Sequence, residues 1–228
     1  MQTTQTLQTT TNDKISGLYV ITDSQLIAPK RFASKVRQAL LGGAKVVQYR
    51  DKSQQHELRW QQAQQLVKLC QEFNAVSIIN DDIELAKVVQ ADGVHIGLDD
   101  QSVTEARQML GNNKIIGASC YADIERAQRA VADSADYVAF GSVFSSKTKP
   151  QAVVAGLDVL RKARQTLSVP VVAIGGIDAD NVADVIAAGA SSVAVISAVF
   201  ASENIEQSAR QFSTAFNGVA ADSDLGLL

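Results

Sequence analysis

Residues 76–82 read VSIINDD, a short strand-like run that passes without Gly or Pro into Asn80, Asp81 and Asp82. An amide and two acids at the tip of a buried strand are unusual if they only face water. The same form recurs along the chain. Short β-branched runs occur at GLYVIT (17–22), KVVQYR (45–50), VSIIN (76–80) and GVHI (93–96), then at KIIGAS (114–119), YVAFG (137–141), VVAIGG (171–176) and SVAVIS (192–197). Stretches of helical period lie between them, as at 31–41, 57–72, 104–110 and 183–188. Several strands are apolar throughout, as a parallel sheet covered on both faces requires.

Strands alternating with helices predict the α/β class, and two features favour a single (β/α)8 TIM barrel over a doubly wound open sheet. Polar residues collect at the C-terminal end of nearly every strand, which suits a ring of loops around one mouth. The dinucleotide pattern G-x-G-x-x-G does not follow the first strand. No linker interrupts the alternation, so residues 14–218 are expected to form one catalytic barrel domain. The Gln/Thr-rich residues 1–13 are expected to be a disordered polar tail, and residues 219–228 a frayed end.

Totals narrow the function classes. A chain of 228 residues can bury roughly 70% of its unfolded surface without staples. The net charge of −3 offers no footprint for nucleic acid, and no apolar run has the length of a membrane span. The first residues lack the basic and apolar regions of a secretory signal. With only Cys70 and Cys120, the chain reads as cytoplasmic with free thiols. Small-molecule substrates are the expected partners, with no nucleic acid and no membrane; a homo-oligomer is compatible with the pattern.

The strand ends carry the chemistry. Gln48, Arg50 and Lys52 occupy alternate positions in QYRDK, so an extended chain sends them to one side. Asp82 and Asp99 each precede a helical stretch and read as helix N-caps. Asp81 and Asp100 follow neighbouring strands and would meet at one rim as two carboxylates sharing no lysine between them. That pair invites Mg²⁺, which takes one or two carboxylates and completes its shell with water and phosphate oxygens. Arg50, Lys52 and Lys149 match the remaining charge of a diphosphate. Gly175 and Gly176, and the helix expected to start in VISAVF, fall where barrel enzymes place a phosphate, so a second phosphorylated substrate is expected there. His95 is either a ligand or a packing and hydrogen-bonding group, and the oxygen preference of Mg²⁺ favours the latter. His56 is expected to be exposed, and Trp60 is most simply a packing residue. Nothing beside Cys120 would lower its thiol pKa.

The ordered set QYRDK (48–52), NDD (80–82), DGVHIGLDD (92–100), GASCY (117–121), SSKTK (145–149), AIGGI (173–177) and VAVIS (193–197) resembles the thiamine phosphate synthase family over about residues 17–200. The resemblance implies a (β/α)8 barrel that joins 4-amino-5-hydroxymethyl-2-methylpyrimidine diphosphate to a thiazole phosphate with release of diphosphate. It further implies that Gln48, Tyr49, Arg50, Asp51, Lys52, Asn80, Ser119 and Lys149 bind the pyrimidine diphosphate. Ser146, Lys147, Thr148, Gly176, Ile196 and Ser197 would bind the thiazole phosphate, and Asp81 and Asp100 the Mg²⁺ cofactor. Arg50, Lys52, Ser119 and Lys149 would be catalytic. The chain departs from the family at Ser145, where a Pro is common, and at Leu98, where a Gln is common. A related thiazole tautomerase carries a His two positions after the strand-5 Ser, where this chain has Tyr121. A sugar-phosphate epimerase or another phosphate-binding barrel enzyme would explain Gly176 and Ser197 but leave QYRDK and the paired acids idle. A non-catalytic thiamine-precursor binding barrel is a further alternative, and the retained acids and cations argue against it.

Overall fold

Parallel strands β1 (Gly17–Ile21), β2 (Val46–Tyr49), β3 (Val76–Asn80), β4 (Gly93–Ile96), β5 (Ile115–Tyr121), β6 (Tyr137–Phe140), β7 (Val171–Ile174) and β8 (Ser192–Val195) pair in sequence order. The sheet closes where Tyr19 of β1 registers with Ala194 of β8. Among the described residues, the α-helices between successive strands are α1 (Phe32–Leu41), α2 (His56–Glu72), α3 (Ile83–Val88), α4 (Val103–Leu110), α5 (Ile124–Ala132), α6 (Asp158–Thr166) and α7 (Val182–Ala187). After β8 come the one-turn α8 (Ser197–Phe200) and the closing α9 (Ile205–Asp224). The computed structural model describes residues 14–97, 102–145 and 154–224, with side chains as far as residue 218. The expected TIM barrel is the fold observed. Among the described residues, no helix is long and apolar enough to cross a membrane.

Strand periodicity divides the apolar residues into two cores. Outward-facing residues such as Leu18, Val20, Val47, Ile79, Val94 and Val193 pack under the helices. Inward-facing residues, among them Tyr19, Ile21, Val46, Ile78, Ile115, Tyr137, Val172 and Ala194, fill the barrel. Several strands end one or two residues before the sequence pattern does. Thr22, Arg50, Gly141, Gly175 and Gly176 lie beyond the paired ladder, because their neighbours turn away into the rim loops. β5 alone runs longer, and its register shifts between Ser119 and Tyr121.

Short polar residues cap the crossovers. Asp82 accepts from Leu85 N at α3, Asp123 from Arg126 N at α5, and Ser102 forms a capping box with Glu105 at α4. The hydrogen bonds from Ser102 hold the Glu105 carboxyl below its ordinary pKa.

At the opposite end of the barrel a two-strand device repeats. Asp92, just before β4, accepts from Ser77 N of β3 at 2.8 Å; Asp136, before β6, accepts from Ile116 N of β5 at 2.7 Å; and Ser191 Oγ, before β8, accepts from Val171 N of β7 at 3.3 Å. Each side chain ties the start of one strand to its predecessor. These contacts lie on the face that stabilises such barrels, away from the mouth.

Asp136 Oδ2 also accepts from Arg107 Nη2 at 2.6 Å. Asp136→Ala is therefore expected to destabilise the protein by about 1–3 kcal/mol through the orphaned donors, leaving catalytic constants of the folded fraction unchanged. Equilibrium urea unfolding beside steady-state kinetics checks both statements.

Candidate active site

Residues at the ends of β2 and β3 line a cleft of about 260 Å³, formed by Asp51, Lys52, Ser53, Gln54, Arg59, Asn80, Asp81 and Asp82. Asp81 is its centre. It follows the last residue of β3, its N–H donates to His95 O of the adjacent strand at 2.9 Å, and its backbone is left-handed at φ +64°. A non-glycine residue takes that conformation at a cost. Its carboxylate Oδ2 accepts from the Lys52 ammonium and, at 2.5 Å, from Asn80 Nδ2. Asp100 lies outside the described residues, while Asp81 is thus paired with Lys52. The reason is reach: Lys52 follows the end of the neighbouring strand, and its flexible side chain, 60% exposed, spans the gap to Asp81.

Asp82 behaves differently, as an N-cap should. One carboxylate oxygen caps α3 and the other accepts from Arg59 Nη2 at 2.7 Å. That second partner was not foreseen. Arg59 stands in the first turn of α2, where a cation opposes the helix dipole, so it is a residue with a reason to be elsewhere. Its Nε is buried with no partner among the described residues. The Asp82 contact holds its guanidinium in the cleft wall.

QYRDK splits as the strand pleat requires. Gln48 points into the barrel, where Nε2 donates to Tyr19 OH at 2.8 Å. Tyr49 points outward, buried against Phe32, and its hydroxyl donates to Gln62 at 3.0 Å. Burial, then the neighbouring Asp51, raises that phenol above its ordinary pKa. The Tyr49 side chain thus faces the helices, so only its backbone is left for a ligand at the mouth. Arg50 begins the rim loop: its N–H donates to Thr22 Oγ1 at 2.9 Å and its guanidinium lies 3.9 Å from Asp23. Asp51 accepts from Ser53 N at 2.8 Å, shaping the loop that carries Lys52.

Across the mouth, Ser119 Oγ lies 2.8 Å from His95 Nε2, and the Ser119 carbonyl accepts from Arg126 Nε at 2.8 Å. His95 is a hydrogen-bonding residue, buried, with Nδ1 2.9 Å from Tyr137 OH. Tyr137 OH in turn lies 2.9 Å from Tyr19 OH. Gly117 makes room for this: a Cβ there would sit 2.0 Å from the Tyr137 ring. Desolvation raises both phenols, so each keeps its proton. Tyr19 and Tyr137 were missed in the sequence, although two tyrosines at inward-facing positions need partners for their hydroxyls.

The loop after β6 crosses the glycines after β7. Val143 N and Phe144 N donate to Ile174 O and Gly175 O, both at 3.0 Å. Gly176 has φ +68°, and a Cβ on it would meet Ser145 O at 2.7 Å, so the residue must be small. Ile196 precedes α8 and Ser197 opens it. Asp99, Asp100, Ser146, Lys147, Thr148 and Lys149 lie outside the described residues. Among those described, no three His, Cys, Asp or Glu side chains gather as metal ligands. Trp60 differs from expectation, being 37% exposed.

The sequence model of the family described as "Thiamine monophosphate synthase" matches residues 18–199. A thiamine-phosphate synthase of Halorhodospira halophila is 48% identical over 198 residues, covering 87% of this chain and 93% of that protein. One from Nitrosococcus oceani is 47% identical over 205 residues, covering 90% and 94%. Among solved structures, a thiamine phosphate pyrophosphorylase from Pyrococcus furiosus superposes with a TM-score of 0.82 at 36% identity, covering 91% of this chain and 98% of that one.

Both cysteines are free and buried. Burial pushes the Cys120 thiol up to about 12, against a smaller opposing effect of Arg126, and burial also raises Cys70. The thiolate is the reactive form, so neither is expected to react with a thiol reagent in the native protein near about pH 8. Both should react once the chain is denatured. Rapid labelling of Cys120 in the native state would contradict this.

Proposed function

The chain belongs to the thiamine monophosphate synthase family, whose members are transferases that make thiamine phosphate, and we propose that it does so by coupling 4-amino-5-hydroxymethyl-2-methylpyrimidine diphosphate to a thiazole phosphate. The observation that carries this reading is the meeting of Lys52, Asp81 and Asn80 in one cleft at the rim. A hard carboxylate oxygen beside an amide, within reach of a mobile cation, suits a metal-bound diphosphate.

The donor chemistry fits Mg²⁺, which prefers carboxylate oxygens and keeps sites for substrate phosphate. Asp81 would hold it, with Asp100 as the second carboxylate on sequence grounds. Bound there, Mg²⁺ would supply positive charge at the diphosphate oxygens. Lys52 can leave Asp81 at little cost, since an exposed ion pair contributes only ~0–1 kcal/mol. Its ammonium is then free for the diphosphate. Arg50, anchored through its backbone to Thr22, offers a second cation, and Lys149, which follows β6 in the sequence, a third.

The substitution needs no covalent enzyme intermediate. The C–O bond of the pyrimidine diphosphate breaks ahead of C–N bond formation, and its electron pair leaves on the diphosphate. The pyrimidine amino group feeds electron density to the methylene carbon. Arg50, Lys52 and Lys149 stabilise the charge gathering on the departing group. Gln48, Asn80 and Ser119 hold the pyrimidine diphosphate. Ser146, Lys147 and Thr148, with Gly176, Ile196 and Ser197, hold the thiazole phosphate, so that its ring nitrogen attacks at short range.

Incubation with both substrates and Mg²⁺ is expected to yield thiamine phosphate and diphosphate. Asp81→Ala and Lys149→Ala are each expected to slow the chemical step in single-turnover measurements by at least ~100-fold, as loss of a preorganised electrostatic group does. Near-normal rates in both variants would overturn the assignment.

A further inference from the structure

Asn80, Asp81 and Asp82 make one tight turn at the end of β3. Asp82 N donates to Asn80 O at 2.8 Å across Asp81, whose φ is +64°. A hydrogen bond of that span about a residue of positive φ is a γ-turn of the rare, strained hand. A residue keeps such a backbone only where its surroundings hold it there. One hold is direct, since Asp81 N donates to His95 O at 2.9 Å. The other comes through Asp82. Its Oδ1 caps α3 by accepting from Leu85 N at 2.9 Å, and its Oδ2 accepts from Arg59 Nη2 at 2.7 Å. Both carboxylate oxygens are therefore fixed, one by α3 and one by α2 of the preceding βα unit.

A capping aspartate does not need the second tie. Asp123 stands at the same place after β5, two residues beyond the strand, and caps α5 by accepting from Arg126 N at 2.9 Å. Its other oxygen lies 3.7 Å from Arg129, and both side chains of that pair are more than half exposed. The pair of Arg59 with Asp82 is closer, and Arg59 is only 17% exposed. Arg59 also stands at a disadvantage. Its charge opposes the dipole of α2 from the first turn, and its Nε is buried with no partner among the described residues. The contact that offsets these costs is the one to Asp82.

We propose that Arg59 is a positioning residue, which through Asp82 holds the Asp81 carboxylate in the cleft that both residues line. Arg59 does not touch the ligand in this role. It closes one route by which the strained turn could relax, because Asp82 cannot rotate while α2 and α3 each grip one of its oxygens. Asp81 then meets its ligand already set, and less of the binding free energy is lost to ordering the turn. The inference rests on the reading of Asp81 as a ligand of Mg²⁺ for its function, but the hold on the turn does not.

Three variants of the full chain test it. Asp82→Asn keeps an oxygen for the N-cap but removes the acceptor of Arg59. Arg59→Met removes the donor, and the third variant carries both changes and so conserves net charge. In the metal-free protein, NMR hydrogen exchange at the Asp81 amide is expected to speed up by ~10-fold in each variant, measured relative to the amides of β7. Calorimetry then follows inorganic diphosphate with and without Mg²⁺. Each variant is expected to lose about 5-fold of the Mg²⁺-dependent gain in affinity. The double variant should lose no more than either single one, and should bind diphosphate alone as the wild type does. Unchanged Asp81 exchange in Arg59→Met would overturn the proposal, as would a less stable Arg59→Met protein that keeps the full Mg²⁺-dependent gain. Weakened binding of diphosphate alone in the double variant would also overturn it, by making Arg59 a direct contact of the anion. If Asp82→Asn fails to fold, Arg59→Met and the double variant decide. A wild type without any Mg²⁺-dependent gain, in which Arg59→Met still frees the Asp81 amide, would instead reject the metal reading and uphold the hold on the turn.

Discussion

Closure of the sheet between β1 and β8 is the constraint from which the site follows. In an all-parallel ring every strand delivers its C-terminal residue to the same rim. Residues as far apart in sequence as Thr22 and Arg50, or Asn80 and Ser119, are therefore brought to one mouth with no dedicated scaffold. The short polar contacts at the other end, from Asp92, Asp136 and Ser191, set the start of β4, β6 and β8 against their predecessors. Register at the bottom is carried through rigid strands to the top, so stability and function occupy opposite ends of the same ladder.

At the mouth, two electrostatic regimes meet. The rim is open to solvent: Lys52 is mostly exposed, and its pairing with Asp81 is a surface contact worth little. The floor is dry. Tyr19 and Tyr137 are fully buried, and their hydroxyls, with Gln48, His95 and Ser119, satisfy one another. A buried polar network of this kind is worth having only when complete, because a single missing partner leaves a desolvated group unpaired. The rim is thus open to solvent while the floor is held by its own hydrogen bonds.

Much of this was legible in the sequence, and the reasons differ by residue. Apolar strands ending in polar residues identified the barrel, because period two and burial act locally. Asp82 as an N-cap was readable for the same reason. The role of Asp81 was readable only in part: its place at a strand end was evident, but its ion pair with Lys52 depends on how far a side chain reaches across a neighbouring strand. Arg59 was hidden because its partner lies in the next βα unit, although a cation in the first turn of a helix was a usable signal. Tyr19 and Tyr137 were hidden because each looks like ordinary core until the barrel closes and puts one against the other. Gly117, whose missing side chain admits the Tyr137 ring, has no local signature at all.

The central claim is that Asp81 joins a divalent ion to the leaving diphosphate, and it is tested most directly by linkage in calorimetry. The affinity of the protein for inorganic diphosphate is measured with and without Mg²⁺, in the wild type and in Asp81→Asn. The account predicts that Mg²⁺ tightens diphosphate binding by ~10-fold or more in the wild type, within the usual range of such coupling, and that this gain disappears in Asp81→Asn. Equal enhancement in the two proteins would contradict it.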